Sequence, residues 1–215
     1  MFVMEKAPKS IDAEAYRSLR SNIEYSSFDN EYRAIVVTSS VPGEGKSTTA
    51  GNLAIALAKS GNSVLLVDCD MRKPSIHKKF KISNMYGTAE LLLRKRLFEE
   101  VANKHSENLI IITAGKIPPN PSEMLASKAM TAFIEEMKKE FKYIILDTPP
   151  LQAVTDAQVL STKADGVLLV VRAGSTKKDA VLNSVDLIEK VHGKIIGTVL
   201  NGVENKKNNY YYYGE

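Results

Sequence analysis

Cysteine is nearly absent from this 215-residue chain: Cys69 stands alone, which excludes an internal disulfide framework and fits a reducing compartment. It follows an apolar run and sits between Asp68 and Asp70, so it reads as a small buried filler rather than a nucleophile. Long apolar runs are missing as well. The longest, around 109–113 and 167–171, are far too short to cross a bilayer, and the opening MFVMEKAPKS is broken by charge and proline where a signal peptide would carry its apolar region. A cytoplasmic protein is expected, with any membrane association supplied by a partner. Charge of one sign is barely in excess. The 29 Lys and Arg against 25 Asp and Glu leave +4, which suits a phosphate-bearing ligand or an anionic surface and gives no reason to expect nucleic acid. No internal repeat is visible, and the length suffices for one domain with a full core.

What is present is alternation. Segments 34–39, 63–68, 109–114, 143–147, 166–172 and 194–201 are short, almost continuous runs of Val, Ile and Leu, the pattern of parallel strands covered on both faces. Between them, 46–59, 88–94, 122–139, 155–162 and 177–191 read as helices. This repetition predicts an α/β fold, a doubly wound, mostly parallel sheet with helices on both faces. A leading helix over 11–26 places Ala15, Leu19 and Ile23 four apart on one face. Residues 1–203 are read as the folded domain. Residues 204–215 are polar and end in four consecutive tyrosines, Tyr210, Tyr211, Tyr212 and Tyr213, and they read as a flexible tail.

The strongest chemical signal is VVTSSVPGEGKSTT at 36–49, where a strand runs through a glycine-containing loop into a helix. Gly43 and Gly45 let backbone N–H groups wrap phosphate oxygens, with the Glu44 backbone between them, and the helix N-terminus adds a favourable dipole. In such a P-loop Lys46 reaches the β- and γ-phosphates of ATP, the Ser47 hydroxyl ligates Mg²⁺, and Thr48 lies toward the α-phosphate. One departure stands out: Ser40 occupies the position where the pattern usually has its first glycine. Asp68 and Asp70 close the second strand and Asp147 closes the fourth, the strand ends that converge on the ligand crevice of an open parallel sheet. Mg²⁺ needs only one or two carboxylates beside phosphates and water, so Ser47, Asp68 and Asp147 are its candidate ligands. Asn201, before Gly202, either reads the adenine edge or forms a turn, and Arg172 ends the neighbouring strand.

PGEGKS, LLVDCDMR and IILDTPP, together with GKIPPNPSEML at 115–125 and VTDAQVL at 154–160, resemble the bacterial tyrosine kinases of capsule and exopolysaccharide synthesis, in the form that lacks its own transmembrane region. The likeness covers nearly the whole chain. It implies a P-loop fold, ATP and Mg²⁺ as cofactors, and Lys46, Asp68, Asp70 and Asp147 as catalytic residues. It also implies that Tyr210–Tyr213 accept phosphate from a neighbouring subunit. Glu14, Arg17 and Arg20 match the family's Glu-x-x-Arg-x-x-Arg motif, which implies subunit contacts in a homo-oligomer, in the family a ring. The implied partners are a transmembrane activator, a phosphotyrosine phosphatase and protein substrates such as sugar-nucleotide enzymes, with recruitment to the inner face of the membrane.

Each phosphate would add about −1.5 to −2 charge to the tail, so phosphorylation is expected to weaken the oligomer. The basic run Arg72, Lys73, Lys78, Lys79 and Lys81 is either a solvated loop or a surface attracting that tail. A switch ATPase of the partitioning or cell-division kind is the rival reading, but no lysine lies between Arg33 and Lys46, where those relatives carry one. A nonenzymatic nucleotide-binding subunit is disfavoured by Lys46, Ser47 and the three aspartates. A eukaryotic-type kinase is excluded by the lack of His-Arg-Asp and Asp-Phe-Gly.

Overall fold

A computed structural model describes residues 2–26 and 31–203; the tyrosine cluster Tyr210–Tyr213 lies outside the described residues. The chain opens with α1 (Val3–Lys6) and α2 (Ile11–Ser26), then β1 (Ala34–Ser39), α3 (Lys46–Lys59) and β2 (Val64–Asp68). Next come α4 (Ile76–Phe80), α5 (Thr88–Leu92), α6 (Phe98–Val101), β3 (Ala102–Ser106) and β4 (Leu109–Ile112). The second half runs α7 (Pro121–Ala126), α8 (Lys128–Glu140), β5 (Tyr143–Asp147), α9 (Asp156–Ser161), β6 (Gly166–Arg172), α10 (Lys178–Glu189) and β7 (Ile195–Asn201).

The seven strands form one sheet in the order β3-β4-β2-β5-β1-β6-β7, parallel except for β3. Side chains alternate across it, as extended backbone requires. Ala34 and Val36 of β1 join Leu65 and Val67 of β2 on one face, under Met130, Phe133 and Ile134 of α8 and Leu160 of α9. Ile35 and Val37 join Leu66 and Ile145 on the other, under Leu53 and Leu57 of α3 with Ala13 and Ile23 of α2. Two apolar layers thus clamp a sheet whose central strands are wholly buried, which explains why those strands read as continuous apolar runs.

Three expectations need correction. The predicted helix 122–139 is two helices, because Ser127 is extended and its hydroxyl accepts the Met130 N–H, starting a new helix. The predicted stripe on α2 holds at Leu19 and Ile23, which pack into the core, but Ala15 is exposed and Ala13 is buried in its place. β3 was not anticipated, since Ala-Asn-Lys-His-Ser is polar and largely exposed, as befits an edge strand protected by charge and a bulge.

The amino-terminal segment is held against α3. The Phe2 ring lies over Gly51, where a Cβ would come within 2.2 Å of it, and the Met4 N–H donates to Asn52 Oδ1 at 3.1 Å. Gly51 therefore allows a close approach that no larger residue would permit.

Candidate functional site

β1, β2 and β5 set the site. Asp68 and Asp147 are register partners on adjacent strands, and Val37 of β1 pairs with Asp147 on its other side. The loop leaving β1 therefore passes directly over two carboxylates. It turns through Gly43 at φ 87° and Gly45 at φ 97°, left-handed conformations that favour glycine. Ser40 is not at positive φ, so the missing first glycine takes nothing from the loop; its carbonyl accepts the Gln152 N–H at 3.2 Å.

The loop and strand ends line a cleft of about 640 Å³. Lys46 Nζ donates to Asp70 Oδ2 at 2.8 Å and to the Ser47 hydroxyl at 3.3 Å, and stands 3.7 Å from Asp147 Oδ1. Burial acts to lower the Lys46 pKa, but Asp147 and Asp70 outweigh it, so the ammonium is held above its ordinary value. Asp147 is fully buried, and neither oxygen makes a hydrogen bond of normal geometry. Burial raises its pKa against the opposing pull of Lys46. An orphaned buried carboxylate beside a P-loop serine is an anomaly a divalent cation would resolve.

Asp68 differs. One oxygen accepts the Asp70 N–H at 3.1 Å, and the other accepts Ser75 N–H at 3.2 Å and Ile76 N–H at 3.1 Å. Three of its roughly four lone-pair sites are thus used, leaving one for a ligand. Burial, then the charge of Asp147, holds it well above the usual carboxylate range. Cys69 is fully buried, and its thiol is pushed up by that burial, which fits a filler.

The remaining predicted residues divide. Gly43, Gly45, Thr48, Arg172 and Asn201 reach the cleft wall. Arg172 Nη1 donates to the Gly43 carbonyl at 3.0 Å and Asn201 Nδ2 to the Glu44 carbonyl at 2.9 Å, so both also brace the loop. Glu44, expected to contact phosphate through its backbone, buries its carboxylate in the loop. One oxygen accepts the Val41 N–H at 2.8 Å and the other accepts the Thr176 hydroxyl, a partner sequence reasoning missed. A second cleft of about 510 Å³ shares Thr48 and Asn201 with the first and is walled by Tyr16, Leu19 and Leu200.

The basic run beyond Asp70 is not one surface. Arg72 makes a bidentate pair with the fully buried Asp156, at 3.0 and 3.1 Å, and a 2.9 Å bond to the Ser122 hydroxyl. Lys78 is exposed, whereas Lys79 turns inward and donates to the Thr48 hydroxyl at 2.9 Å. No signal in the sequence separates Lys79 from Lys78; only the direction of α4 does. Glu14, Arg17 and Arg20 lie apart from the cleft on α2. Arg17 binds Glu14 at 2.6 Å and the Pro8 carbonyl at 2.9 Å, and Arg20 pairs with Glu24 at 3.4 Å.

Among the described residues, no helix is long and apolar enough to cross a membrane. A family model described as an AAA domain matches residues 32–199. Tyrosine-protein kinase YwqD of Bacillus subtilis (strain 168) is 42% identical over 209 residues, covering 96% of this chain and 88% of the relative. Among solved structures, the kinase domain of Escherichia coli tyrosine kinase ETK superposes with a TM-score of 0.92 at 32% identity, covering 100% of this chain and 85% of that one. The chimerical protein CapA2B2 gives 0.89 at 40% identity, covering 93% and 88%. With likeness of this extent running through both the sequence and the sheet, the chain belongs to the bacterial tyrosine-protein kinases, a P-loop family of the AAA-domain kind.

Proposed function

We propose that the chain transfers the γ-phosphoryl group of ATP to Tyr210–Tyr213 of a neighbouring copy and so regulates capsule or exopolysaccharide synthesis. The observation that carries this reading is the orphaned Asp147 carboxylate, fully buried beside Lys46 and Ser47 under a P-loop. Ser47 and Asp147 are the residues that would hold Mg²⁺, since the one remaining site of Asp68 goes to the incoming phenol. When bound, the ion would supply charge neutralisation and orientation of the phosphates.

Phosphoryl transfer asks mainly for positioning and neutralisation. Lys46 is pre-aimed by Asp70 and keeps one of its three N–H donors for a phosphate oxygen. The amides of the loop at Gly43 and Gly45 add fixed dipoles where charge gathers. Asp68 would orient the incoming phenol and accept its proton late in transfer. Its burial favours that role, because a raised pKa narrows the gap to a tyrosine whose reference value is about 10. The second cleft, sharing Thr48 and Asn201, would seat the base. Glu14, Arg17 and Arg20 would lie at contacts between copies, and a membrane-anchored activator would bring the assembly to the membrane's inner face.

Mass spectrometry of the purified protein after incubation with Mg·ATP tests the proposal. Phosphate on the tyrosine cluster, absent from Lys46→Met, is the expected outcome. ADP release with an unmodified cluster, with and without candidate activator tails, would instead make the chain a switch ATPase.

A further inference from the structure

We propose that Lys79 is a second phosphate-binding lysine of the nucleotide site, set against the α-phosphate of a bound nucleoside di- or triphosphate. The inference rests on the P-loop reading above and extends it to a residue on a different element.

The charge distribution of the cleft motivates it. Lys46 is engaged by Asp70 and Asp147, and Arg72 by Asp156. Lys79 also lines the cleft, yet it takes part in none of the ion pairs among the described residues. Its bond is to a neutral group, the Thr48 hydroxyl, at 2.9 Å. Asp147 acts on this lysine electrostatically, but from beyond ion-pair distance, so the half-buried Lys79 has no counter-charge in direct contact. An anion at this point would supply one.

The position selects which phosphate. Thr48 follows Lys46 and Ser47 in the first turn of α3, on the side of the cleft that continues into the second cleft. Lys79 therefore stands between the loop that would hold the outer phosphates and the cavity that would hold the nucleoside. Its stem is not loose. α4 is anchored by Ile76, which is fully buried, by the two N–H bonds to Asp68, and by Phe80, whose ring lies 4.4 Å from that of Phe2. A donor presented from a fixed element loses little freedom on binding.

Titration calorimetry with ADP and with ATP, in Mg²⁺, on the full chain and its Lys79→Met, Lys79→Gln and Lys79→Arg variants tests the assignment. Loss of a charge-assisted bond predicts that Met and Gln each weaken both nucleotides by about tenfold and by the same factor. Arg should recover most of the affinity. Wild-type affinity in the Gln variant would show that Lys79 only ties α4 to Thr48, and an unchanged Met variant would leave it no role; either overturns the proposal. A loss much larger for ATP than for ADP would place the contact on the γ-phosphate and overturn it as well. Lys46→Met, run alongside, separates the two claims: if that variant still binds ADP like wild type, the P-loop reading fails whatever Lys79 does.

Discussion

Replacing Asp147 with asparagine should stabilise the ligand-free protein while abolishing phosphotransfer. The carboxylate is fully buried and its oxygens have no hydrogen bond of normal geometry. Lys46 is 3.7 Å away and makes its closer bond, 2.8 Å, to Asp70. Asparagine keeps the shape and removes the charge, and the lysine keeps a partner. Asparagine is still a buried polar group, so only the cost of the buried charge is relieved, about 1–3 kcal/mol. For a chain of this length each kcal/mol moves Tm by about 2–4 °C. The pH dependence gives a second reading. Burial, opposed by Lys46, raises the Asp147 pKa above its unfolded value. Such an acid holds its proton more tightly when folded, so it weakens the folded state as pH rises from about 3.9 through the folded pKa. The asparagine variant lacks that loss. Its advantage should be small near about pH 4 and larger near about pH 7.5. Calorimetric melts in a chelator, without nucleotide, measure both. Added Mg·ATP should reverse the order, because the wild type alone gains the full ligand stabilisation. A variant that melts below wild type at neutral pH, or whose advantage is the same at both pH values, would refute the reasoning by showing that Lys46 already compensates the charge.

Two further substitutions probe the supports of the site. Asp156→Ala strips Arg72 of its bidentate partner, but Arg72 is 38% exposed and can rehydrate, so the loss should be about 1–3 kcal/mol in urea unfolding; an unchanged midpoint would make the pair inert. Gly51→Ala puts a Cβ 2.2 Å from the Phe2 ring and should destabilise by about 1–3 kcal/mol, partly recovered when Phe2→Ala is added, and strict additivity in the double variant would mean the two residues do not meet.

The central sheet was legible because burial on both faces leaves an unambiguous mark: β1, β5 and β6 begin and end where their apolar runs do. The P-loop was legible because Gly43, Gly45, Lys46 and Ser47 are a local arrangement. What escaped is largely nonlocal. The Ser127 cap is local, but a serine inside an apolar-periodic stretch carries no mark of it; the Glu44 side chain looks like a cleft group until the Thr176 hydroxyl, 132 positions away, is seen to donate to it. Lys79 belongs to the same class. Its neighbour Lys78 has identical chemistry, and only the docking of Ile76 and Phe80 decides which of the two enters the cleft.

The same nonlocal logic explains why the carboxylates tolerate their position. Parallel pairing of β2 with β5 sets Asp68 and Asp147 side by side, and the turn after β2 brings Asp70 to the same lysine. Three acids gathered around Lys46 are an electrostatic burden in a desolvated site. Each answers it differently: Asp70 by a 2.8 Å ion pair, Asp68 by three backbone N–H groups, and Asp147 only by Lys46 at 3.7 Å and the neighbouring Ser47 hydroxyl. The apolar layers on both faces of the sheet can carry one such unsatisfied group, since a penalty of a few kcal/mol is small beside the burial that holds the central strands. Stability is thus surrendered at the single carboxylate that a bound cation would neutralise, which makes the ligand-free state the strained one and gives binding energy a place to act.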